Sequence, residues 1–369
     1  MARLTNIQLF AILFVSMATI PYQVLAKLLA VSTAQHGWLA VIASVLPGLT
    51  LLWIYFYLLN NSHDPFPGML EEHLGKIAGK ILGLIYLLAF FLVVVVSLVI
   101  FANFFLSNVL PGMPISILLV FIILPAFYAL RTGLEATARV VELIVLTGYP
   151  LAMFLLLLGI GPETDWSRLL PLSGFSASGL ANGILLVDSY CSLMIVVLTL
   201  GQFCHNPRIL WKWMLWAYGF SIGTLLLVVI IPISAYGPSL TAVQTFPIFN
   251  IARSTNIGGF IHNIEIILVS AVMPGVFAML AIFWFVTCYS AQQVFNLQDY
   301  RFLVGPSAIM AGVTAVLIVP NIHFLYIMLQ YIFPWIFIIL FAVCPAVLAT
   351  IIWIKQRSNI GQERTAVGQ

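Results

Sequence analysis

The sequence predicts an all-α integral membrane protein with ten transmembrane helices, arranged as a five-plus-five inverted repeat. Of its 369 residues, 63% are hydrophobic and only 7% are charged, a composition that excludes a soluble fold. Ten apolar stretches approach the roughly 20 residues that cross a bilayer core. Polar residues interrupt the first and the sixth stretches, which open the two halves of the predicted repeat.

The whole chain, residues 1–369, is predicted to form one polytopic membrane domain. Residues 7–160 make the first repeat, residues 179–353 make the second, and residues 354–369 form a polar cytoplasmic tail. The repeat is inferred from the number of spans and from the two interruptions, since the halves show no sequence similarity. The ten spans cover residues 7–29, 37–59, 78–106, 115–130, 139–160, 179–203, 213–236, 258–289, 303–319 and 324–353.

Basic residues predict the orientation of these spans. Eleven of the 14 lysines and arginines fall in segments on the same side as the N-terminus. Only Lys27, Arg168 and Arg253 fall on the other side. Because cytoplasmic loops carry the excess of basic residues, both termini are predicted to be cytoplasmic, and this requires an even number of spans.

Two connections have a predicted structure of their own. Residues 60–77 contain two prolines and then a mildly amphipathic stretch, which predicts a cytoplasmic loop with a short interfacial helix. The segment from Thr245 to Arg253 belongs to a longer loop on the opposite side. It is predicted to lie on the membrane surface.

The first span, within Gln8 to Leu29, has polar residues and a proline near its middle. Thr19, Pro21 and Gln23 fall close together there. Proline cannot donate its backbone hydrogen bond, so the helix is predicted to break at this point. Interrupted helices near the midplane form the substrate sites of many transporters, whereas the structural alternative is a proline kink stabilised by neighbouring helices.

The sixth span is interrupted by Asp188, Ser189 and Tyr190. Asp188 lies near half depth, about nine residues into the span at a rise of about 1.5 Å per residue. The spans contain no deep lysine or arginine to neutralise it. Asp188 would hold a substrate amino group, a sodium ion or a proton, or else it is a protonated carboxyl group bonded to a neighbouring helix.

Other polar residues in the spans are weaker candidates for function. Glu265 and His262 share a face of span 8, where they would form an outer gate or tie the span to its neighbours. Glu142 lies at the start of span 5 close to Arg139, so it is either an ion-pair partner or a gating residue. Asn103 in span 3 is first an interhelical hydrogen-bond former, and it becomes a substrate contact if span 3 lines the site.

The sequence gives no support for an enzyme. It contains no HExxH or GxSxG motif and no phosphate-binding glycine loop. The four cysteines lie in or beside apolar stretches, and no pair has the spacing of metal ligands. We therefore expect neither catalysis nor a metal or other cofactor.

Two long stretches resemble the endospore germination permeases of the GerAB/ArcD/ProY type. They are FPIFNIARSTNIGGFIHNIEIILV, from Phe246 to Val269, and QQVFNLQDYRFLVGP, from Gln292 to Pro306. The segment AQHGWLAVIAS at the start of span 2 and the chain length are similar to the family as well. These permeases are the B-type integral membrane subunits of nutrient germinant receptors, within the amino acid–polyamine–organocation superfamily.

The resemblance implies a LeuT/APC-like fold with a substrate pocket between helices 1, 3, 6 and 8. It places the break of helix 1 at Ala18, Thr19 and Ile20, and it matches Glu265 to a glutamate of helix 8. A ligand carboxylate would then meet free backbone amides near Thr19 and Ile20. The amino group would face Asp188 or polar atoms on helix 3.

The resemblance also implies partners and a location. We expect a complex with a larger A-type subunit and a lipoprotein C-type subunit, in the inner spore membrane or the cell membrane. The expected ligand is a small germinant, commonly an amino acid, and no nucleic acid is involved. Two alternatives remain: a free-standing amino-acid transporter coupled to protons or sodium, and a scaffold or ion-release subunit without its own ligand.

Overall fold

The computed structural model describes residues 3–62, 64–161, 164–170, 174, 176–204, 207–254, 264–318 and 322–367, and these residues are nearly all helical. His262 lies outside the described residues. The helices are α1 (Asn6–Thr33), α2 (Gly37–Ala43), α3 (Val45–Asn61), α4 (Phe66–Leu74), α5 (Lys76–Asn108), α6 (Ile115–Thr132), α7 (Leu134–Leu158), α8 (Ala177–Cys191), α9 (Val196–Leu200), α10 (Pro207–Tyr236), α11 (Pro238–Val243), α12 (Pro247–Ser254), α13 (Ile264–Phe295), α14 (Arg301–Ile318), α15 (Ile322–Ile327), α16 (Phe333–Phe337) and α17 (Cys344–Val367).

The described residues contain ten membrane crossings, as predicted. Nine continuous helical segments are long and apolar enough to cross a membrane. The first of them, Asn6–Asn61, has 56 residues, and at about 1.5 Å per residue it is far longer than a bilayer core of about 30 Å. A tight turn at Ala34–His36 divides it into two crossings.

Helix α1 lies at the centre of the bundle. It packs against α7, α8, α10, α11 and α13, and almost all of its side chains are buried. Its apolar residues are distributed around the whole helix, which is the pattern of a helix enclosed by others. The helix begins at a capping box, in which the Thr5 hydroxyl and the Gln8 side chain each accept a hydrogen bond from the other residue's backbone amide.

The first span was predicted to break near Pro21, and this prediction is wrong. Helix α1 continues through Ala18, Thr19, Ile20 and Pro21 as one helix. Pro21 removes a single donor from the helical ladder. Neighbouring polar side chains turn back onto the same helix instead of opening it. One example is the Ser16 hydroxyl, which donates to the Ile12 carbonyl at 2.8 Å. The enclosing helices hold the segment in place.

The interruption predicted in the sixth span is present as a change of pitch. Helix α8 ends at Cys191, directly after the predicted residues, and a tighter 3₁₀ turn runs over Ser192–Ile195 before α9. The Ser189 hydroxyl donates to the carbonyl of Leu186 at 2.6 Å, and the Ser192 hydroxyl donates to the carbonyl of Ser189 at 2.6 Å. The backbone is therefore tightened here and not unwound.

The last span contains two π-helical turns, Met328–Ile332 and Ile338–Val343, which the sequence does not reveal. The widened second turn presents carbonyl groups to neighbouring helices. The Tyr86 hydroxyl donates to the Leu340 carbonyl, and the Tyr55 hydroxyl donates to the Phe341 carbonyl. Tyr55 also bonds the Ser192 carbonyl at 3.0 Å, so it joins the irregular turns of spans 6 and 10.

The connecting segments agree only in part with prediction. Helix α4 is the short helix expected within residues 60–77. Helix α12 packs its apolar face onto the bundle, and the location of residues 245–253 at the membrane surface stays a prediction. Helix α17 extends through Val367, so the predicted tail beyond residue 354 continues the last helix.

The described residues near the two termini lie at the same end of the bundle, as an even number of crossings requires. The Leu4 amide donates to the Phe203 carbonyl at 3.0 Å, which fixes the N-terminus beside the end of span 6. The Lys355 ammonium donates to the His73 carbonyl at 2.8 Å, beside α4. A groove shared by residues 62–69 and 201–210 connects these two regions. Their cytoplasmic location stays a prediction.

Candidate functional site

A cavity of about 60 Å³ lies beside the middle of α1, where this helix packs against α7, α10 and α13. We call it the central cavity. It contains the predicted residues Ala18 and Thr19, close to Pro21. Its described lining residues are Phe14, Val15, Ala18, Thr19, Tyr22, Ile144, Val145, Tyr149, Ala152, Thr224, Ala271, Val272 and Gly275.

Most polar groups of the central cavity already have hydrogen-bond partners. The Tyr22 hydroxyl donates to the Ala152 carbonyl of α7 at 3.2 Å. The hydroxyl oxygens of Tyr149 and Thr224 are 2.5 Å apart, which links α7 to α10. These bonds satisfy buried hydroxyl groups that would otherwise be costly, and they fix the walls of the cavity.

A second cavity of about 20 Å³ adjoins the first, because Tyr22 and Val272 line both. We call it the aromatic cavity. The Phe104 ring meets the rings of Phe246 and Phe249 edge-on, with centroids 5.1 and 5.2 Å apart. Its described lining residues are Tyr22, Gln23, Phe104, Phe246, Ile248, Phe249, Leu268, Val269, Val272 and Met273.

The two cavities are small and apolar. An engineered protein cavity that binds benzene has about 150 Å³, so the central cavity has room for only a few water molecules in this conformation. No charged side chain is found among the described residues that line either cavity. Movement of the Tyr22 ring would join the two spaces. The arrangement therefore suits a small, largely apolar ligand that displaces this ring.

The structure does not bring Asp188 to these cavities. Asp188 lies near the end of α8, within electrostatic range of Tyr218 of α10 and of Cys191. The Tyr218 hydroxyl donates to the carbonyls of Ser44 and Val45, where α2 passes into α3. One carboxylate oxygen of Asp188 is buried and has no hydrogen-bond partner among the residues that the structure describes.

Other predicted contacts bond within their own helices. The Asn103 amide nitrogen donates to the Val99 carbonyl at 3.0 Å, and Ser189 bonds the carbonyl of Leu186. Tyr190 is 2% exposed and lines neither cavity. Ile20 and Pro21 are likewise buried within α1 outside both cavities. The amides at Thr19 and Ile20 belong to a continuous helix, so the free amides expected for a carboxylate are not available.

Glu265 and Glu142, the predicted gating residues that the structure describes, also lie outside the cavities. Glu265 occupies the first turn of α13, where a carboxylate interacts favourably with the helix dipole. Glu142 is half-buried on α7. Its expected partner Arg139 instead pairs with Glu135 at 2.6 Å, because a glutamate four residues before an arginine has the better orientation on a helix.

Four polar residues of the site were not predicted: Tyr22, Gln23, Tyr149 and Thr224. Gln23 was noticeable in the sequence as an amide inside an apolar span, which is a costly position. The other three are residue types that commonly stabilise contacts between membrane helices, so the sequence alone does not distinguish them. Among the described residues, no group of three or more His, Cys, Asp or Glu is arranged to hold a metal ion.

Comparison with known sequences relates the chain to proteins of spore germination. A family model described as spore germination protein matches residues 3–325. The putative spore germination protein YfkT of Bacillus subtilis (strain 168) is 23% identical over 286 residues, covering 76% of this chain and 77% of the relative. Spore germination protein KB of the same organism is 22% identical over 295 residues, covering 78% of each.

Comparison with solved structures relates the fold to transporters. MhsT, solved in complex with L-phenylalanine, superposes with a TM-score of 0.66 at 14% identity, covering 95% of this chain and 88% of that one. A Na⁺-coupled sialic acid symporter in a substrate-bound outward-open state gives a TM-score of 0.62 at 11% identity, covering 93% and 80%. These likenesses confirm the predicted LeuT-type architecture, whereas the repeat boundaries at residues 160 and 179 stay predictions.

Proposed function

Because the chain belongs to the spore germination protein family, whose model matches residues 3–325, we propose that it is the permease-like membrane subunit of a nutrient germinant receptor. In this role it recognises a small germinant, such as an amino acid with an apolar side chain, and triggers germination. The observation that carries the proposal is the pair of cavities beside the middle of α1, which are lined by residues of α1, α5, α7, α10, α12 and α13.

The proposed mechanism is recognition without covalent chemistry. The ligand enters from the end of the bundle opposite the two termini, beside α12, and displaces the Tyr22 ring. It then contacts Thr19 and Ala18 in the central cavity. Because the ligand binds the opened arrangement better than the closed one, it shifts the equilibrium between them. An A-type subunit and a lipoprotein C-type subunit respond to that shift in the inner spore membrane. Both termini of this chain face the cytoplasm.

Deletion of the gene tests this function directly. Spores that lack the protein are expected to lose the response to one class of nutrient and to keep the response to others. Full-length tagged protein from spore membranes is expected to co-purify with the A-type and C-type subunits. Deletion spores that respond normally to every nutrient in an amino-acid, sugar and nucleoside panel would contradict the proposal.

A proton- or sodium-coupled amino-acid transporter is the second candidate, because the chain shares its fold with transporters. Proteoliposomes loaded with a proton or sodium gradient separate the two functions. A receptor subunit binds labelled amino acid with little net uptake, whereas a transporter accumulates it until the gradient is dissipated. A protein that does neither is a scaffold or ion-release subunit.

Asp188→Asn is expected to leave ligand affinity within about twofold of wild type, because Asp188 does not line the cavities. The change is also expected to maintain or raise thermal stability, since it replaces an ionisable group, one oxygen of which is buried without a partner, by a neutral amide. The germination response or coupled uptake would be reduced if the charge acts in coupling. Isothermal titration and thermal unfolding in detergent check the first two results. A tenfold loss of affinity would instead place Asp188 in the ligand site.

A further inference from the structure

Lys27 is a cation of α1 whose charge has no anionic partner among the described residues. It is half-buried, and within the same part of the chain its side chain forms no salt bridge and no hydrogen bond. Its ammonium nitrogen lies 4.0 Å from the centroid of the Tyr326 ring, so the charge is held against the face of an aromatic ring. An ammonium group has three N–H donors. These donors are therefore available to an acceptor that the described residues do not supply.

The contact between Lys27 and Tyr326 lies at the outer rim of the aromatic cavity. Lys27 follows Gln23, which lines that cavity, by four residues, so the two share a face of α1 about 6 Å apart along its axis. The Tyr326 hydroxyl donates to the Thr245 carbonyl, and the next residue, Phe246, lines the same cavity. Both partners of the contact are therefore connected directly to residues of the cavity wall.

Lys27 lies where the ligand is proposed to enter. It is about 30 Å along α1 from Asn6, close to the end of the crossing that is opposite the termini. Helix α12, which begins two residues after Thr245, packs against α1. Because α1 is enclosed by other helices, a small molecule that enters beside α12 meets Lys27 before it reaches either cavity.

A ligand carboxylate finds no partner in the described walls of the two cavities. No lysine or arginine is among those residues, and the amides at Thr19 and Ile20 belong to a continuous helix. Lys27 is the one lysine or arginine in the sequence of α1. It lies about 12 Å along the helix from Thr19, a distance that its four-carbon stem and the body of an apolar amino acid together can bridge. Lys27 is therefore the complementary charge for a carboxylate at this entrance.

We propose that Lys27 binds the carboxylate of an amino-acid ligand at the entrance to the aromatic cavity, with the apolar side chain of the ligand directed into that cavity. Tyr326 is a positioning residue, because its ring holds the ammonium group at the rim. This inference rests on the proposed function, since it specifies the ligand of the same site. It moves the carboxylate from the middle of α1, where the sequence placed it, to the outer end of the helix.

Four probes test the proposal on the full-length protein in lipid nanodiscs: valine, leucine, and their amides valinamide and leucinamide. Each amide has the size of its amino acid and lacks the negative charge. Wild-type protein is expected to bind at least one of the two amino acids, and to bind it at least about tenfold more tightly than its amide. If it binds neither amino acid, or binds the amides equally well, the proposal fails.

Lys27→Met removes the ammonium group and keeps an unbranched side chain. The amino acid should then lose at least about tenfold in affinity, whereas its amide should change by less than about threefold, so the preference for the carboxylate disappears. Arg253→Gln is the matched control, because it removes an exposed cation from α12. A preference that survives in Lys27→Met, or that is lost equally in Arg253→Gln, would refute the assignment.

A chemical measurement on the wild-type protein covers the case in which Lys27→Met does not fold. 4-Methylpentanoate, the leucine skeleton without its amino group, should slow the acetylation of Lys27 at least about threefold, as measured by mass spectrometry. The neutral 4-methylpentanamide should not protect Lys27, and the exposed Lys76 at the start of α5 should react at the same rate with either compound. Protection of Lys27 by both compounds, or by neither, would contradict the proposal.

Anionic lipid headgroups offer the same kind of oxygen acceptor and are tested separately. Nanodiscs of phosphatidylcholine, and of phosphatidylcholine mixed with phosphatidylglycerol, should give the same acetylation rate for Lys27 when no probe is present. Slower acetylation with phosphatidylglycerol would assign Lys27 to a lipid headgroup and overturn the proposal. The germinant-receptor function is judged independently, by deletion spores that respond to every nutrient as wild-type spores do.

Discussion

Leucine in place of Gly275 is expected to lower the affinity for the germinant at least about tenfold while the protein still folds. Gly275 forms part of the wall of the central cavity, opposite Thr19. A Cβ atom added there would lie 3.8 Å from the Thr19 hydroxyl oxygen, which is ordinary van der Waals contact. The remaining atoms of the side chain would occupy a space of about 60 Å³ that the ligand needs.

The matched control for this change is Gly219→Leu in α10. A Cβ atom at Gly219 meets no atom within 4 Å, and the residue is exposed on the outside of the bundle. Both variants should reach the membrane in similar amounts, and only Gly275→Leu should lose binding in titration and response in spores. Normal germinant affinity in Gly275→Leu would place the ligand outside the central cavity.

Gly148→Ala is expected to destabilise the protein by about 1–3 kcal/mol, because it forces two helices apart. An added Cβ atom at Gly148 would lie 2.8 Å from the backbone oxygen of Ala271, so α7 and α13 approach each other through this glycine. The higher helix propensity of alanine is worth about 1 kcal/mol at most and does not offset the clash. Thermal unfolding of the purified protein in detergent measures the effect.

Gly223→Ala is the control for this second change. It lies on α10, and an added Cβ atom there meets nothing within 4 Å. The substitution should therefore be neutral or slightly stabilising. If Gly148→Ala unfolds at the same temperature as Gly223→Ala, the close approach of α7 and α13 is not needed for stability.

The sequence was sufficient to predict the number of membrane spans and their approximate positions. Length and apolarity determine a membrane span, so span 3 was expected at residues 78–106 and is found as Lys76–Asn108. The turn between the first two spans is less obvious, because Asn6–Asn61 is apolar nearly throughout. In the structure the chain turns at Ala34, which has a positive φ of 50°.

The details of the site were harder to predict, for a physical reason. A helix that is apolar on every side gives no periodic signal, so its sequence does not show which face points to which neighbour. Asp188 was predicted to contact the ligand from its depth in the span, yet it lines neither cavity and lies within electrostatic range of Tyr218 instead. Pro21 predicts a break, but the packing around α1 decides whether the helix opens there.

The central position of α1 has a consequence for biosynthesis. This helix is synthesised well before its most extensive partner, α10, which begins only at Pro207. At common synthesis rates the delay between them is roughly 10 to 35 seconds. During that interval Ser16, Thr19 and Gln23 face lipid or an insertion factor instead of their final neighbours. The ligand site is therefore completed only when the second half of the chain has been inserted, and a truncated first half has no site.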